Sequence, residues 1–450
     1  MKFRPHCLSI SSPFERTSLP LLTCLLMLLI SGLAWAEDLP RRAQWEARFQ
    51  FPESQTAGVI VRSLAADSPL AQAGLQVGDH IVAVNGQPIL RPEAWSDVTD
   101  ALVAKQRYAL TYKRGQQSEQ VTVRFKAQPK EVHEGIDTIY DHITSDYGIR
   151  QRVIITKPKG VIGRQPAILL LQGLSCSSIE INADRLNSWT RLIRELVTRS
   201  NKVLLRVEKP GLGDSEGNCS ETDFNTELNG YHTAAAYLKS LPYVDPERIV
   251  VYGNSMGSAL APHFANRFGF AAVVSDGTYV KTWYEHMLEI ERRILAFKGH
   301  SQSEITQKMN QVFIPLYHGM LIGRQSYQQV IDAYPAIAAD NYHAPAHMYG
   351  RPMAFYQQLQ QFDVAGAWAQ LQVPARIRWG THDWIMSEAD NDLIIEILQA
   401  AGHQDHVLYK HPGLDHWQTI HESPKNSFNG KPGESDPAVS GVILDWLAEF

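Results

Sequence analysis

The chain has 450 residues, 44% of them hydrophobic and 20% charged, with a formal net charge of -5. A globular chain of that length has room for two or three domains. A mildly acidic balance without a strongly basic run excludes an electrostatic nucleic-acid binder. No cluster of His, Cys and carboxylates has metal-ligand spacing, so neither a metal nor another cofactor is expected.

Residues 1–36 read as a secretory signal peptide. Lys2, Arg4 and Arg16 make a positive leading segment, Leu21 to Ile30 is apolar apart from Thr23 and Cys24, and Ala34-Trp35-Ala36 supplies a small-x-small pattern before Glu37. An uncleaved anchor is the alternative, but the run is short against the ~20 residues of a spanning helix. A lipoprotein through Cys24 fits less well, because apolar sequence continues beyond it. Cleavage leaves no stable membrane span and places the mature chain in the periplasm or outside the cell. Of the four cysteines, Cys176 and Cys219 remain after cleavage, in a compartment that favours a disulfide.

Residues 37–130 form the next segment. "GVIVRSL" reads as a strand, and Ser68-Pro69 opens a short helix ended by Gly74. "HIVAV" is a strand closed by the Asn85-Gly86 turn. A helix is expected around Arg91 to Ala104, then a hairpin of "YALTYKR" and "SEQVTVRF" across Gly115. The string "SPLAQAGLQVGDHIVAVNG" resembles the bacterial PDZ family. The resemblance implies a small β-rich domain that captures an extended peptide, often a protein C-terminus, by strand addition. It also implies a carboxylate-binding loop just before "GVIV", around Ser54 to Gly58. A PDZ fold that only packs against its neighbour is the alternative.

From residue 131 to residue 450 strands and helices alternate. Strands are expected at "GIDTIYDHI", "QRVIITKP", "AILLLQG", "KVLLRVE", "RIVVYG", "AAVVSD", "ARIRWG" and "HVLYK". Helical apolar spacing occupies Leu186 to Thr198, Phe224 to Ser240, Met256 to Arg267, Asp390 to Ala401 and Ala438 to Glu449. Near-continuous apolar strands between helices mean a mostly parallel sheet buried on both faces. Eight such strands, led by a hairpin, resemble the α/β-hydrolase fold. The long connection after "AAVVSD" reads as a mostly helical cap, residues 279–365.

"RIVVYGNSMGSALAPHF" carries the chemistry. A G-x-S-x-G pattern is weak alone, but here an apolar strand runs into Ser255 and a helix with small residues follows. That context is a nucleophile elbow. The α/β-hydrolase resemblance implies an acid after the seventh strand and a histidine after the eighth. Asp383 in "GTHD" and His416 in "GLDH" fill those places, with Asp276 the alternative acid. His382 and Asp415 read as loop residues, and His416 is preferred to His411 and His421 on its G-x-x-H spacing. By position the oxyanion donors are the backbone N–H groups of Met256 and Leu174; Gln172 stands where many relatives carry His. Glu208 and Lys209 are expected near the site mouth, pairing with each other or with the triad surroundings. Asp214 and Ser215, in a glycine-rich loop, are expected to cap backbone donors. Cys176 and Cys219 follow the third and fourth strands, which the fold brings together, so a disulfide is implied; two separate buried thiols are the alternative. Trp283, Tyr284, Met287 and Tyr317 are candidate cap residues for an acyl pocket, or ordinary cap core.

Leader, PDZ string and elbow together resemble a family of exported bacterial PDZ-containing serine hydrolases; "RVEKPGLGDSEG" and "LLLQGLSCSS" fit it, while Ser258 departs from the usual glycine. The expected activity is hydrolysis of an ester, thioester or amide through a Ser-His-Asp triad. The substrate is a small acyl compound or a peptide. A prolyl-oligopeptidase-like peptidase and a non-enzymatic periplasmic adaptor are the rivals.

Overall fold

The computed structural model describes residues 38–52, 57–90, 95, 98–99, 101–182, 186–340 and 347–450. The expected leader, residues 54–56 of the expected carboxylate-binding loop and most of the expected helix around 91–104 lie outside the described residues.

The first part of the chain is built from short strands: β1 (Ala43–Gln44), β2 (Ala47–Gln50), β3 (Val59–Leu64), β4 (His80–Val84), β5 (Gln87–Pro88), β6 (Arg107–Arg114), β7 (Gln117–Arg124) and β8 (Lys126–Ala127); β1 and β8 pair with each other, and the other six form the first sheet. Along β6, buried Tyr108, Leu110 and Tyr112 alternate with more exposed residues, the period-two signature of a half-buried strand. Ser68 caps the helix Pro69–Gln72 by accepting from the Ala71 N–H at 3.1 Å. Asn85 and Gly86 both have positive φ, 48° and 78°, as a two-residue hairpin turn requires. The sheet order is β2-β3-β4-β6-β7. β3 is interior, with β2 antiparallel on one side (Phe49↔Val61, Gln50↔Ile60) and β4 on the other. Phe49 and Trp45 hold β2 there by packing on Trp95 at 4.8 and 5.0 Å between ring centroids. The free edges are β2 and β7.

The second sheet has eight strands: β9 (Ile136–Thr144), β10 (Arg150–Pro158), β11 (Gln165–Leu171), β12 (Val203–Val207), β13 (Val244–Asn254), β14 (Ala272–Asp276), β17 (Ala375–Gly380) and β18 (His406–His411), in the order β18-β17-β14-β13-β11-β12-β10-β9. β10 pairs antiparallel with both β9 and β12, and the remaining neighbours, from β12 through β11, β13, β14 and β17 to β18, are parallel. The central strands are buried on both faces. Leu169, Val251 and Val273 point to one core with the helices α1 (Phe224–Ser240) and α2 (Met256–Phe268). Ile168, Leu170, Val250, Tyr252 and Val274 point to the other, beneath the helices Ser188–Arg199 and Pro437–Ala448.

Between β14 and β17 lies the helical insertion. It opens with α3 (Trp283–Phe297), capped by Thr282 and Glu285 in a reciprocal capping box. Shorter helices follow, joined by π-helical turns at Met309–Phe313 and His318–Ile322, and a two-residue hairpin, β15 (His347–Met348) with β16 (Arg351–Pro352), interrupts them. Neither the π turns nor the hairpin has a sequence pattern that announces it. No helix among the described residues is long and apolar enough to cross a membrane.

Candidate active site

β13 ends at Asn254 and α2 begins at Met256, so the turn consists of Ser255 alone, at φ 56° and ψ -127°. That backbone region is costly for a residue with a Cβ. Close packing imposes it: a Cβ on Gly253 would collide with the Gly257 carbonyl, and one on Gly257 with the Leu171 carbonyl of the adjacent strand. The Ser255 N–H donates to the Asp276 carbonyl at 2.9 Å, which locks the turn to β14. Ser258 carries its hydroxyl back to the Ser255 carbonyl and, at 3.3 Å, to that of Gly277, so its departure from glycine is absorbed locally.

The turns after β17 and β18 bring Asp383 and His416 to Ser255. His416 Nε2 lies 3.0 Å from Ser255 Oγ, and His416 Nδ1 lies 2.8 Å from Asp383 Oδ2. Asp383 is buried, and its Oδ1 accepts from the Ile385 and Met386 N–H groups at 2.9 Å each, leaving Oδ2 to orient the imidazole. Burial opposes a charge on His416, but the Asp383 carboxylate, then Asp415 and Asp276, outweigh it and raise the pKa above the ordinary histidine value. The alternative acid is engaged elsewhere. Asp276 accepts from Arg378 Nε at 2.8 Å and Nη2 at 2.7 Å, from the Tyr252 hydroxyl at 2.9 Å and from Gln418 at 3.1 Å. His382 bonds the His421 carbonyl, and His421 pairs with Asp415 at 3.1 Å. Asp415 is buried rather than solvated, and it caps the Trp417 and Thr419 N–H groups.

The loop after β11 supplies the facing wall. A Cβ on Gly173 would lie 2.9 Å from Ser255 Cβ, so the Gly173–Leu174 peptide sits directly against the serine. Lys209 fixes that peptide. Its Nζ donates to the carbonyls of Gly173, Leu174 (3.2 Å) and Ser175 (3.3 Å) and pairs with Glu227 at 3.1 Å. In a trans peptide the C=O and the next N–H point opposite ways. Drawing the Gly173 carbonyl toward Lys209 therefore turns the Leu174 N–H away from it. Met256 is the first residue of α2, so its N–H has no intrahelical partner.

Of the two arrangements expected for residues 208 and 209, the structure has the second: both are fully buried, they do not pair with each other, and Lys209 binds the surroundings of the triad. Glu208 accepts instead from the Ser178 hydroxyl and, at 3.3 Å, from the Ile179 N–H, and burial pushes its pKa up to about 8. Asp214 caps the Arg42 N–H at 2.9 Å, and the Ser215 hydroxyl accepts from the Arg152 N–H at 2.9 Å. Cys176 and Cys219 are joined in a disulfide that ties the same loop to the segment after β12. Arg351 of β16 lies against it, 2.6 Å from Cys219 Sγ, while its other terminal nitrogen pairs with Glu227.

A cavity of about 440 Å³ opens over Ser255, within the range of small-molecule sites. Leu174, Ser255, Met256 and His416 line it, together with Tyr279 and one face of α3: Trp283, His286 and Ile290. Of the four candidate pocket residues, only Trp283 lines it. Met287 is fully buried in the core, the Tyr317 hydroxyl donates to Glu291 at 2.6 Å, and Tyr284 packs beside His318. The spacing i, i+3, i+7 puts Trp283, His286 and Ile290 on one helix face, a signal legible once Trp283 is known to face the cavity. Asp383 is not among the lining residues.

A profile described as the alpha/beta hydrolase family matches residues 169–427, more than half of the chain, so the chain belongs to that family. It also carries a PDZ domain, matched over residues 60–108. A polyketide transferase from Stachybotrys chlorohalonatus is 31% identical over 104 residues, which are 23% of this chain and 32% of that protein. A probable periplasmic serine endoprotease, DegP-like, from Brucella suis is 32% identical over 78 residues, 17% of this chain and 15% of that protein. The chain thus spans about a third of the first relative and 15% of the second. Among solved structures, an esterase of Pyrococcus furiosus superposes with a TM-score of 0.43 at 11% identity, covering 72% of this chain and 97% of its own. Acetyl xylan esterase 1 of a Thermoanaerobacterium species gives 0.43 at 14% identity, covering 71% and 86%.

Proposed function

We propose that the protein is an exported serine hydrolase that cleaves carboxylic esters through an acyl-enzyme. The observation that carries this reading is the continuous relay from Ser255 Oγ through His416 to Asp383. His416 Nε2 takes the Ser255 proton as Oγ attacks the substrate carbonyl carbon. The Leu174 and Met256 N–H groups stabilise the oxyanion. His416 then protonates the departing alcohol, removes a proton from water, and the hydroxide releases the acid and restores Ser255. The leader-like first 36 residues and the disulfide support export. The PDZ domain docks a peptide or protein terminus, and β2 is the edge suited to strand addition.

Labelling by a fluorophosphonate probe and turnover of p-nitrophenyl esters test the reading. Ser255→Ala is expected to abolish labelling and to lower kcat by about 10⁴-fold or more. Undiminished turnover in that variant would overturn it. Faster turnover of aminoacyl anilides than of esters would replace an esterase by a peptidase.

A further inference from the structure

Two large apolar side chains in the described lining of the cavity over Ser255 stand open to solvent: Trp417 is 48% exposed and Tyr349 41%. A lone exposed aromatic is ordinary on a protein surface. Here two border one catalytic cavity, and each is fixed from behind. Tyr349 and Gly350 are the two turn residues between β15 and β16, at φ 49° and 72°. Such a turn favours Asn or Asp at its first position, because the left-handed region crowds a bulkier side chain. Tyr349 is the sole aromatic residue with positive φ among the described residues. The turn cannot relax, because both flanks are anchored. Met348 is buried, with its carbonyl accepting from the Tyr356 hydroxyl, and Arg351 is buried on Glu227. Backbone strain kept for a side chain that gains little burial points to a role at the site. Trp417 follows His416 directly. Its ring lies 5.7 Å from the imidazole and 5.4 Å from the Trp384 ring, and its N–H donates to Asp415 Oδ1 at 3.0 Å.

The position of Trp417 says which half of an ester it meets. His416 Nε2 protonates the departing alcohol in the proposed reaction, so the alcohol oxygen must come within hydrogen-bond reach of that nitrogen. The group on that oxygen then starts beside His416 and runs outward past its exposed neighbour, Trp417. The Tyr349 turn borders the oxyanion-side loop, with the Gly350 carbonyl 4.0 Å from Cys176 Sγ. Among the described lining residues there is no Lys, Arg, Asp or Glu, so a charged group would find no counter-charge. An alkyl group would gain burial alone against these two rings. A flat ring gains offset-stacked or edge-to-face contact as well.

We propose that Trp417 and Tyr349 form a leaving-group subsite for a neutral aromatic ring on the alcohol side of the ester. This deepens the serine-hydrolase reading and rests on it for the assignment to the alcohol side, though not for the binding of the ring.

Benzyl butanoate against cyclohexylmethyl butanoate tests the subsite. Both esters give the same acyl-enzyme, so a preference between the two alcohols falls in kcat/KM. After division by the ratio of their alkaline hydrolysis rates, kcat/KM is expected to favour the benzyl ester by about tenfold, the scale of aromatic contacts beyond plain burial. Trp417→Leu and Tyr349→Asn are expected to bring that ratio toward one, while Trp417→Phe, which keeps a ring, retains most of it. Asn tolerates the positive φ at position 349, so Tyr349→Asn is expected to unfold at no lower urea than the wild type. Loss of the ratio without loss of stability is a signature that a structural role would not give. A wild-type ratio near one overturns the proposal, and so do variants that lower both esters equally. Calorimetric binding of N-benzylbutanamide and N-(cyclohexylmethyl)butanamide to the Ser255→Ala protein is the second arm. The benzyl amide is expected to bind about tenfold tighter, and equal binding refutes the subsite whatever the turnover shows. Absence of both ester turnover and fluorophosphonate labelling would sink the serine-hydrolase reading instead, while the calorimetric arm still decides whether the ring is bound.

Discussion

A lysine ammonium without access to solvent has to find its acceptors inside the protein, and Lys209 finds three successive carbonyls of the loop that faces Ser255. Burial lowers its pKa to about 8 against the support of Glu227. Lys209→Met is expected to lower kcat by about 10²-fold with little change in KM, the pattern of a misdirected oxyanion donor. Steady-state kinetics on a p-nitrophenyl ester separate this from a binding defect, which would raise KM instead. The pH profile carries two signs. The base must be neutral to act, so activity is lost as pH falls through the raised His416 pKa, above the ~6.5 of a free histidine. Asp383→Asn removes the charge that raises it. That variant is expected to shift the acid limb downward and to cost about 10⁴-fold in kcat. On the alkaline side Lys209 loses its proton near pH 8, and the limb this produces is expected to vanish in Lys209→Met. Ser255, Asp383 and His416 were legible because turn chemistry and chain order announce them. Lys209 was expected beside the site, but the three carbonyls it holds were not, because they lie 34–36 residues away in sequence.

The strands of the second sheet declared themselves as apolar runs, and the helices between them as 3.6-residue patterns. What escaped was decided by tertiary packing. β2, which flanks β3 and is held by Trp45 and Phe49, has no strand pattern of its own in the sequence. The β15–β16 hairpin has two-residue strands, too short for any periodicity, yet it delivers Arg351 to Glu227 and the disulfide. That disulfide closes a loop across a sequence separation of 43. On a chain-entropy basis it contributes about 4 kcal/mol. The Cys176→Ser/Cys219→Ser double variant is expected to unfold at correspondingly lower urea, with the oxyanion-side loop losing amide protection first. An unchanged midpoint would mean that Arg351 and Glu227 hold the loop unaided.

The PDZ domain and the hydrolase sheet belong to one compact unit, Leu39–Phe450. Their seam is ionic. Arg41 bridges Glu180 and Asp214 at 2.6 Å each, Arg152 reaches the Leu39 carbonyl at 2.7 Å, and Arg42 bonds the carbonyls of Gly213 and Ser215. Both domains were legible from their own strings, but the seam joins residues 139 and 173 positions apart and has no local pattern. Arg41→Ala strands two carboxylates that are nearly buried. It is expected to cost about 3 kcal/mol and to split one calorimetric transition into two as the domains melt separately. A single unshifted transition would show that the seam does not couple them.

The backbone at Ser255 carries a last implication. A glycine there would adopt φ 56° without penalty and keep the same close approach of strand and helix. The Ser255→Gly chain is therefore expected to be the more stable of the two, and on the proposed mechanism the strain at this one peptide is retained for reactivity.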